Sequence, residues 1–172
     1  MEGGEVLGAI AQVALGLTGF AGVVISFWRE PAGFTRVQGY RIGLLFLQPG
    51  GALLLSLIPF ALFYLNLPLD DVWGISSGIM ATLNTGFLGW YLLRSREIWL
   101  IAPEIFRLPV FFSICISHFA NISLQTANAL HGFGPPYLGL YLFGLIWLLL
   151  VSLFQFGRIV FFPQRNKRRR KR

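Results

Sequence analysis

Apolar residues fill five long stretches of the chain, Val6 to Trp28, Ile42 to Leu65, Val72 to Leu93, Leu108 to Leu130 and Tyr137 to Phe162, and charged residues gather between and beyond them. About 20 apolar residues, each rising about 1.5 Å, cross a hydrocarbon core of about 30 Å, so every stretch has the length of a bilayer span. The strict alternation of a membrane barrel is absent, and an isolated strand cannot satisfy its amides in lipid, so the pattern predicts helices. The expected fold is an all-α integral membrane protein, with a five-helix transmembrane domain over residues 1–163 and a basic tail over 164–172.

Inside the spans the residues sort by face. At roughly 100° per residue, Gly8, Ala11, Gln12, Gly19, Gly22 and Ser26 share one side of the first span, opposite Val13, Leu17, Phe20 and Val24. Gly74, Gly78, Thr82, Thr85 and Gly89 make a similar stripe on the third. Small residues let helix backbones approach closely in lipid, so both stripes are expected to be packing seams and to support a homo-oligomer. In the second span Pro49, Gly50 and Gly51 predict a break near Gln48, either a packing kink or the broken-helix geometry that holds ions in transporters.

The fourth span carries the stretch SICISHFANISLQTAN, which is unusually polar for its surroundings. Ser113, Ser117, Asn121 and Asn128 fall on one narrow stripe, with His118 and Gln125 at its edge. An uncompensated polar group in hydrocarbon costs several kcal/mol, so the stripe must face protein or water. It serves either as hydrogen-bonding glue against Gln12, Asn84 or Gln155, or as the lining of a wet path.

Composition narrows the class further. The chain is 55% hydrophobic and 12% charged, against about 25% charged in soluble domains, and its mean hydropathy is +0.67. Nearly all of its 172 residues are used by spans and short connections, which leaves no folded aqueous domain. The opening MEGGEV is acidic and runs into a full-length apolar stretch, so the first segment is expected to be retained rather than cleaved.

The charges also sort by side. With five spans, all 14 Lys and Arg residues fall on one side, and Glu2, Glu5, Asp70 and Asp71 fall on the other. Basic residues stay in the cytoplasm during insertion, so the N-terminus is expected outside and the C-terminus inside. The connection SREIWLIAPEIFRL, with Trp99 between charges, is expected to form a short helix in the inner interface. The tail residues Arg165, Lys167, Arg168, Arg169, Arg170, Lys171 and Arg172 produce much of the +7 net charge. Beside a span they are expected to contact anionic headgroups, at roughly 1 kcal/mol each, rather than nucleic acid.

Candidate chemistry is sparse. The lone Cys115 excludes an intramolecular disulfide. His118 and His131 are 13 residues apart, about 20 Å along one helix, too far to clamp one metal. His118 is the one residue a haem or pigment would use, but no cofactor and no metal are expected. Asn121-Ile-Ser123 matches a glycosylation sequon placed mid-span, out of reach of modification. No catalytic fingerprint occurs and no carboxylate lies within the spans, so neither an enzyme nor an ion-coupled transporter is expected.

At AQVALGLTGFAGVV and YLGLYLFGLIWLLLVSLFQFGRIVF the chain resembles a group of small standalone bacterial membrane proteins. They share a small-residue first helix and an aromatic last helix ending in Gln155, Phe156 and Arg158, and DVWGISSGIM extends the likeness to the third span. The resemblance implies a bacterial cytoplasmic (inner) membrane and transfers no functional residues.

Three functions fit these residues. One is a homo-oligomeric channel or pore lined by Ser117, His118, Asn121, Gln125 and Asn128, with Arg94, Arg96 and Arg107 biasing its inner mouth toward anions. Another is a structural or accessory subunit of a larger membrane complex, pigment- or haem-containing if His118 ligates. The third is a membrane adaptor that binds lipid through its tail.

Overall fold

The structure, a computed structural model, describes residues 3–28, 34–103, 106–132 and 134–161. Its regular elements among these residues are five helices: α1 (Gly4–Trp28), α2 (Arg36–Phe63), α3 (Leu69–Ile101), α4 (Leu108–Ala129) and α5 (Leu138–Phe161). Of these, α1, α2, α4 and α5 are long and apolar enough to cross a membrane; α3, though the longest at 33 residues, is not among the four. The lipid-contact residues expected in the tail, Arg165 and Lys167 to Arg172, lie outside the described residues.

Successive helices run antiparallel. Leu7 of α1, Leu55 of α2, Val72 and Trp73 of α3 and Tyr141 of α5 share one buried cluster, which joins the start of α1, α3 and α5 to the end of α2. At the other end Leu44, Tyr91 and Ile114 form a second cluster, and Ala21 packs on Leu45 beside Phe156. The helix α4 lies against both α3 and α5, and α1 lies outermost against α2 and α5.

The interior holds a polar row beside its apolar clusters, and the exterior is greasy. Leu54, Ile116, Phe119, Leu150 and Phe154 are exposed, whereas Gln48, Asn84, His118, Asn121, Gln125, Asn128 and Gln155 are buried. Water would not tolerate so continuous an apolar surface on a lone chain, but acyl chains solvate it.

Local chemistry explains several boundaries. Thr35 and Gln38 form a capping box, with Gln38 N–H donating to Thr35 Oγ1 at 3.3 Å and Thr35 N–H donating to Gln38 Oε1 at 2.8 Å. It starts α2 at Arg36 rather than at Ile42, where the long apolar stretch begins. Asp70 and Asp71 occupy the first turn of α3, where the helix dipole favours anions.

The break expected at Pro49, Gly50 and Gly51 does not form, for α2 runs unbroken through both Pro49 and Pro59. Proline removes one intrahelical bond and frees the carbonyl four residues earlier. For Pro59 that carbonyl belongs to Leu55, and it accepts a hydrogen bond from the Tyr141 hydroxyl of α5. A neighbouring helix thus satisfies the group the proline leaves open.

One further expectation is corrected. The interfacial helix in SREIWLIAPEIFRL is the continuation of α3, which holds helical geometry to Ile101 because no helix breaker intervenes before Pro103 and because Arg94 pairs with Glu97 at 2.7 Å.

The small-residue faces are not the seams of this fold. On α1 the buried positions are Leu7, Ile10, Ala14 and Ala21, while Gln12 and Gly19 are exposed, Gly8 meets nothing within 4 Å and Gly22 only grazes Phe46. On α3 the buried row is Trp73, Ser76, Ser77, Met80, Ala81 and Asn84; Thr82, Thr85 and Gly89 face outward. The threonines tolerate lipid by returning their hydroxyls to Gly78 O and Ala81 O, at 2.9 and 2.8 Å. Gly74 and Gly78 alone keep the expected role, lying against Pro136 and Ala129.

Replacing Tyr141 with phenylalanine should lower stability by about 1 kcal/mol, because Leu55 O is left without a donor. In a Pro59→Ala background the restored backbone N–H serves that carbonyl, so the same change should cost less, as measured by unfolding in mixed micelles.

Candidate functional site

The buried face of α4 consists of Ile114, His118, Asn121, Gln125 and Asn128, spaced alternately by three and four residues. Polar groups on such a row lie one above another along a single helical stripe. Each is held by a different neighbour.

His118 bridges three helices. The Gln48 amide of α2 donates to His118 Nε2 at 2.9 Å, and His118 Nδ1–H donates to Asn84 Oδ1 of α3 at 3.0 Å. Asn84 Nδ2 in turn donates to Met80 O at 3.0 Å. This order assigns the ring proton to Nδ1 and leaves the imidazole neutral. Phe87 covers the ring at 4.7 Å between centroids, and His118 is only 1% exposed. Both ring nitrogens are engaged, so ligation of a haem or pigment through either would break one of these bonds. Among the described residues no three His, Cys, Asp or Glu are grouped to hold a metal ion.

Further along, the amides reach the backbone of α5. Asn121 Nδ2 donates to Gly144 O at 3.3 Å and Gln125 Nε2 to Leu140 O at 2.8 Å. Gly144 permits this approach: a Cβ there would collide with the Gln125 amide and lie 2.7 Å from Met80 Sδ.

Asn128 ties the far end. Its Nδ2 donates to Ser77 Oγ at 2.8 Å and to Tyr137 O at 3.2 Å, and its Oδ1 accepts from Tyr137 N–H at 3.0 Å. Those bonds hold the turn that leads into α5, where backbone groups lack intrahelical partners.

The expected stripe is therefore displaced by part of a turn. His118 and Gln125, expected at its edge, form its centre. Ser113 is exposed and returns its hydroxyl to Pro109 O at 2.8 Å, because Ile114 takes the buried position on that turn. Ser117 is half-buried and accepts from Trp147 Nε1–H at 2.7 Å. Of the expected partners Asn84 is used, Gln12 faces outward, and Gln155 is fully buried with both amide atoms unpartnered. His131 lies outside the network in the turn after α4, where it adopts φ 59°.

Some amide oxygens remain open: Gln48 Oε1, Asn121 Oδ1 and Gln125 Oε1 are buried without a donor, as is Ser76 Oγ. The expected inner-mouth arginines separate. Arg94 pairs with Glu97, Arg96 is exposed, and Arg107 lines a cleft with Arg41 and Arg158. The sequence alone grouped Arg107 with Arg94 and Arg96 rather than with Arg41 and Arg158; the position of these three at helix ends, with Tyr40 and Tyr91 nearby, was the available signal.

An apolar exterior enclosing a hydrogen-bonded polar core, with four helices of spanning length, defines a helical membrane protein. No known protein family, curated protein or solved structure matches the chain.

His118→Leu and Asn84→Leu should each lower stability by about 1 kcal/mol, with a coupling of about 0.6 kcal/mol in a double-mutant cycle. Ser113→Ala should leave the unfolding midpoint unchanged.

Proposed function

We propose that the protein is a non-catalytic structural or accessory component of a membrane, and that the polar face of α4 fixes its helix arrangement. The carrying observation is the Gln48–His118–Asn84 chain, which closes across α2, α4 and α3 with every member at most 3% exposed. Side chains that bond one another across the bundle fill the space a through-path would need.

The arrangement also supports a fifth crossing. Arg41, near the start of α2, and Arg107, at the start of α4, line the same cleft, so α3 returns through the full depth between them. With the basic residues cytoplasmic, the N-terminus is outside and the C-terminus inside. The resemblance of its two ends supports a bacterial inner membrane. Self-association would use the outward side of α1, where Gln12 is exposed among Gly8, Gly16 and Gly19 and no partner within the described chain serves its amide.

A second reading is favoured by one feature. The open oxygens of Gln48, Asn121 and Gln125 would be satisfied by a file of water, as in a narrow pore.

Flux through reconstituted liposomes separates the two. The accessory reading expects no anion or cation flux above that of protein-free vesicles, and native gels of source membranes should show the chain in a larger assembly than when it is expressed alone. Flux that disappears in Asn121→Leu would replace this reading with the pore.

A further inference from the structure

Two prolines lie inside α2, and each opens a carbonyl one turn earlier. Pro59 opens Leu55 O, which the Tyr141 hydroxyl of α5 serves. Pro49 deprives Leu45 O of its helical donor in the same way, on a residue only 2% exposed.

A second donor stands on α5 at the matching height. Gln155 continues the buried stripe of Tyr141, Leu145, Leu148 and Ser152, and its neighbour Phe156 packs on the cluster that contains Leu45. The two helices are antiparallel, so Leu45, ten residues before Leu55, is level with Val151, ten residues after Tyr141. Long side chains on a helix lean over the preceding turn, which brings the Gln155 amide to that level. Gln155 is fully buried, and its Nε2 and Oε1 both lack a partner. A buried amide without partners is costly, as is a buried carbonyl without a donor, and one bond between the two relieves both.

That bond is not made while α2 runs unbroken through Pro49. Proline and neighbouring glycines are the usual places for a helix to bend. Gly50 and Gly51 follow Pro49, and the place a side chain would take on either is open, so nothing at these positions obstructs a bend.

We infer that α2 hinges at Pro49, Gly50 and Gly51 between its unbroken form and a bent form latched by Gln155 Nε2–H donating to Leu45 O. Gln48 lies between Leu45 and Pro49, with its Nε2 on His118 and its Oε1 open. Bending therefore moves the Gln48 amide against the His118 ring, which couples the hinge to the polar chain that joins α2, α4 and α3. The hinge rests on the fold alone and holds for an accessory component and a pore alike.

The test uses the full chain in lipid nanodiscs with Cys115→Ser, and with spin labels at Gly39→Cys and Ala61→Cys, two exposed positions of α2 on either side of Pro49. Pulsed electron resonance reads their separation, which for an unbroken helix is about 33 Å at about 1.5 Å per residue. The otherwise native chain should give this distance and a second, shorter one. Gln155→Met keeps the reach of the side chain but removes its amide, and should reduce the shorter population about fivefold. Pro49→Ala restores the backbone N–H to Leu45 O and should abolish it.

A single distance in the otherwise native chain would overturn the hinge, and so would a shorter population that is unchanged in Gln155→Met. Should Gln155→Met fail to fold, Pro49→Ala decides alone, and a shorter population that persists there sinks the proposal. Liposome flux has no bearing on these outcomes, so failure here is distinct from failure of the accessory role.

Discussion

A polar side chain sealed between helices in hydrocarbon must find its partner within the protein, and α4 carries four of them. His118, Asn121, Gln125 and Asn128 together require donors and acceptors on three other helices. That requirement ties α4 to α3 and α5, on which it packs, and through the Gln48 side chain to α2, while α1, whose polar Gln12 faces out, makes none of these bonds. It also fixes register: sliding α4 by one turn, about 5.4 Å, would separate Asn128 from Ser77 and His118 from Asn84 in a single step. Apolar contacts alone would not penalise such a slip as strongly, since lipid competes for them on nearly equal terms.

The same constraint accounts for the placement of glycine and proline. Gly144 is needed because the amides of α4 must reach carbonyls of α5, and a side chain there would hold the two backbones apart. Gly43 has a comparable place, since a Cβ would lie 2.6 Å from the ring of Trp90. Pro59 opens a carbonyl in the apolar cluster, and the buried Tyr141 hydroxyl is spent on it. A tyrosine buried there is stabilising only because the proline supplies it with an acceptor.

How much of this was legible in the sequence depends on what kind of signal each residue carries. Helix positions were readable because long apolar runs have few alternatives in lipid. The polarity of α4 was also readable, since asparagine and glutamine at helical spacing in such a run must face protein or water. Its centre was misread because a wheel counted from serines gives them the weight of amides, although a serine such as Ser113 satisfies itself on its own helix. Within the chain most of the glycine faces stay unpacked, because a small residue permits close approach but demands no partner. The donor that serves the carbonyl opened by Pro59 is a hydroxyl 86 positions away in sequence, which no local pattern encodes. The arginine cleft was hidden because insertion topology explains the same residues so well.

The two ends of the bundle are held by unlike forces. At the end where α5 begins, neutral hydrogen bonds through Asn128, Ser77, Tyr137 and Tyr141 close the structure with complementary donors and acceptors. At the opposite end aromatic rings take over, with Tyr91 stacked on Phe111 at 5.7 Å and Tyr40 stacked on Trp90 at 6.1 Å, and three guanidinium groups face a shared space. Ring stacking tolerates small displacements that hydrogen bonds do not. Arg41, Arg107 and Arg158 thus gather at the end that aromatic packing closes, while the other end is closed by neutral donors and acceptors matched to one another.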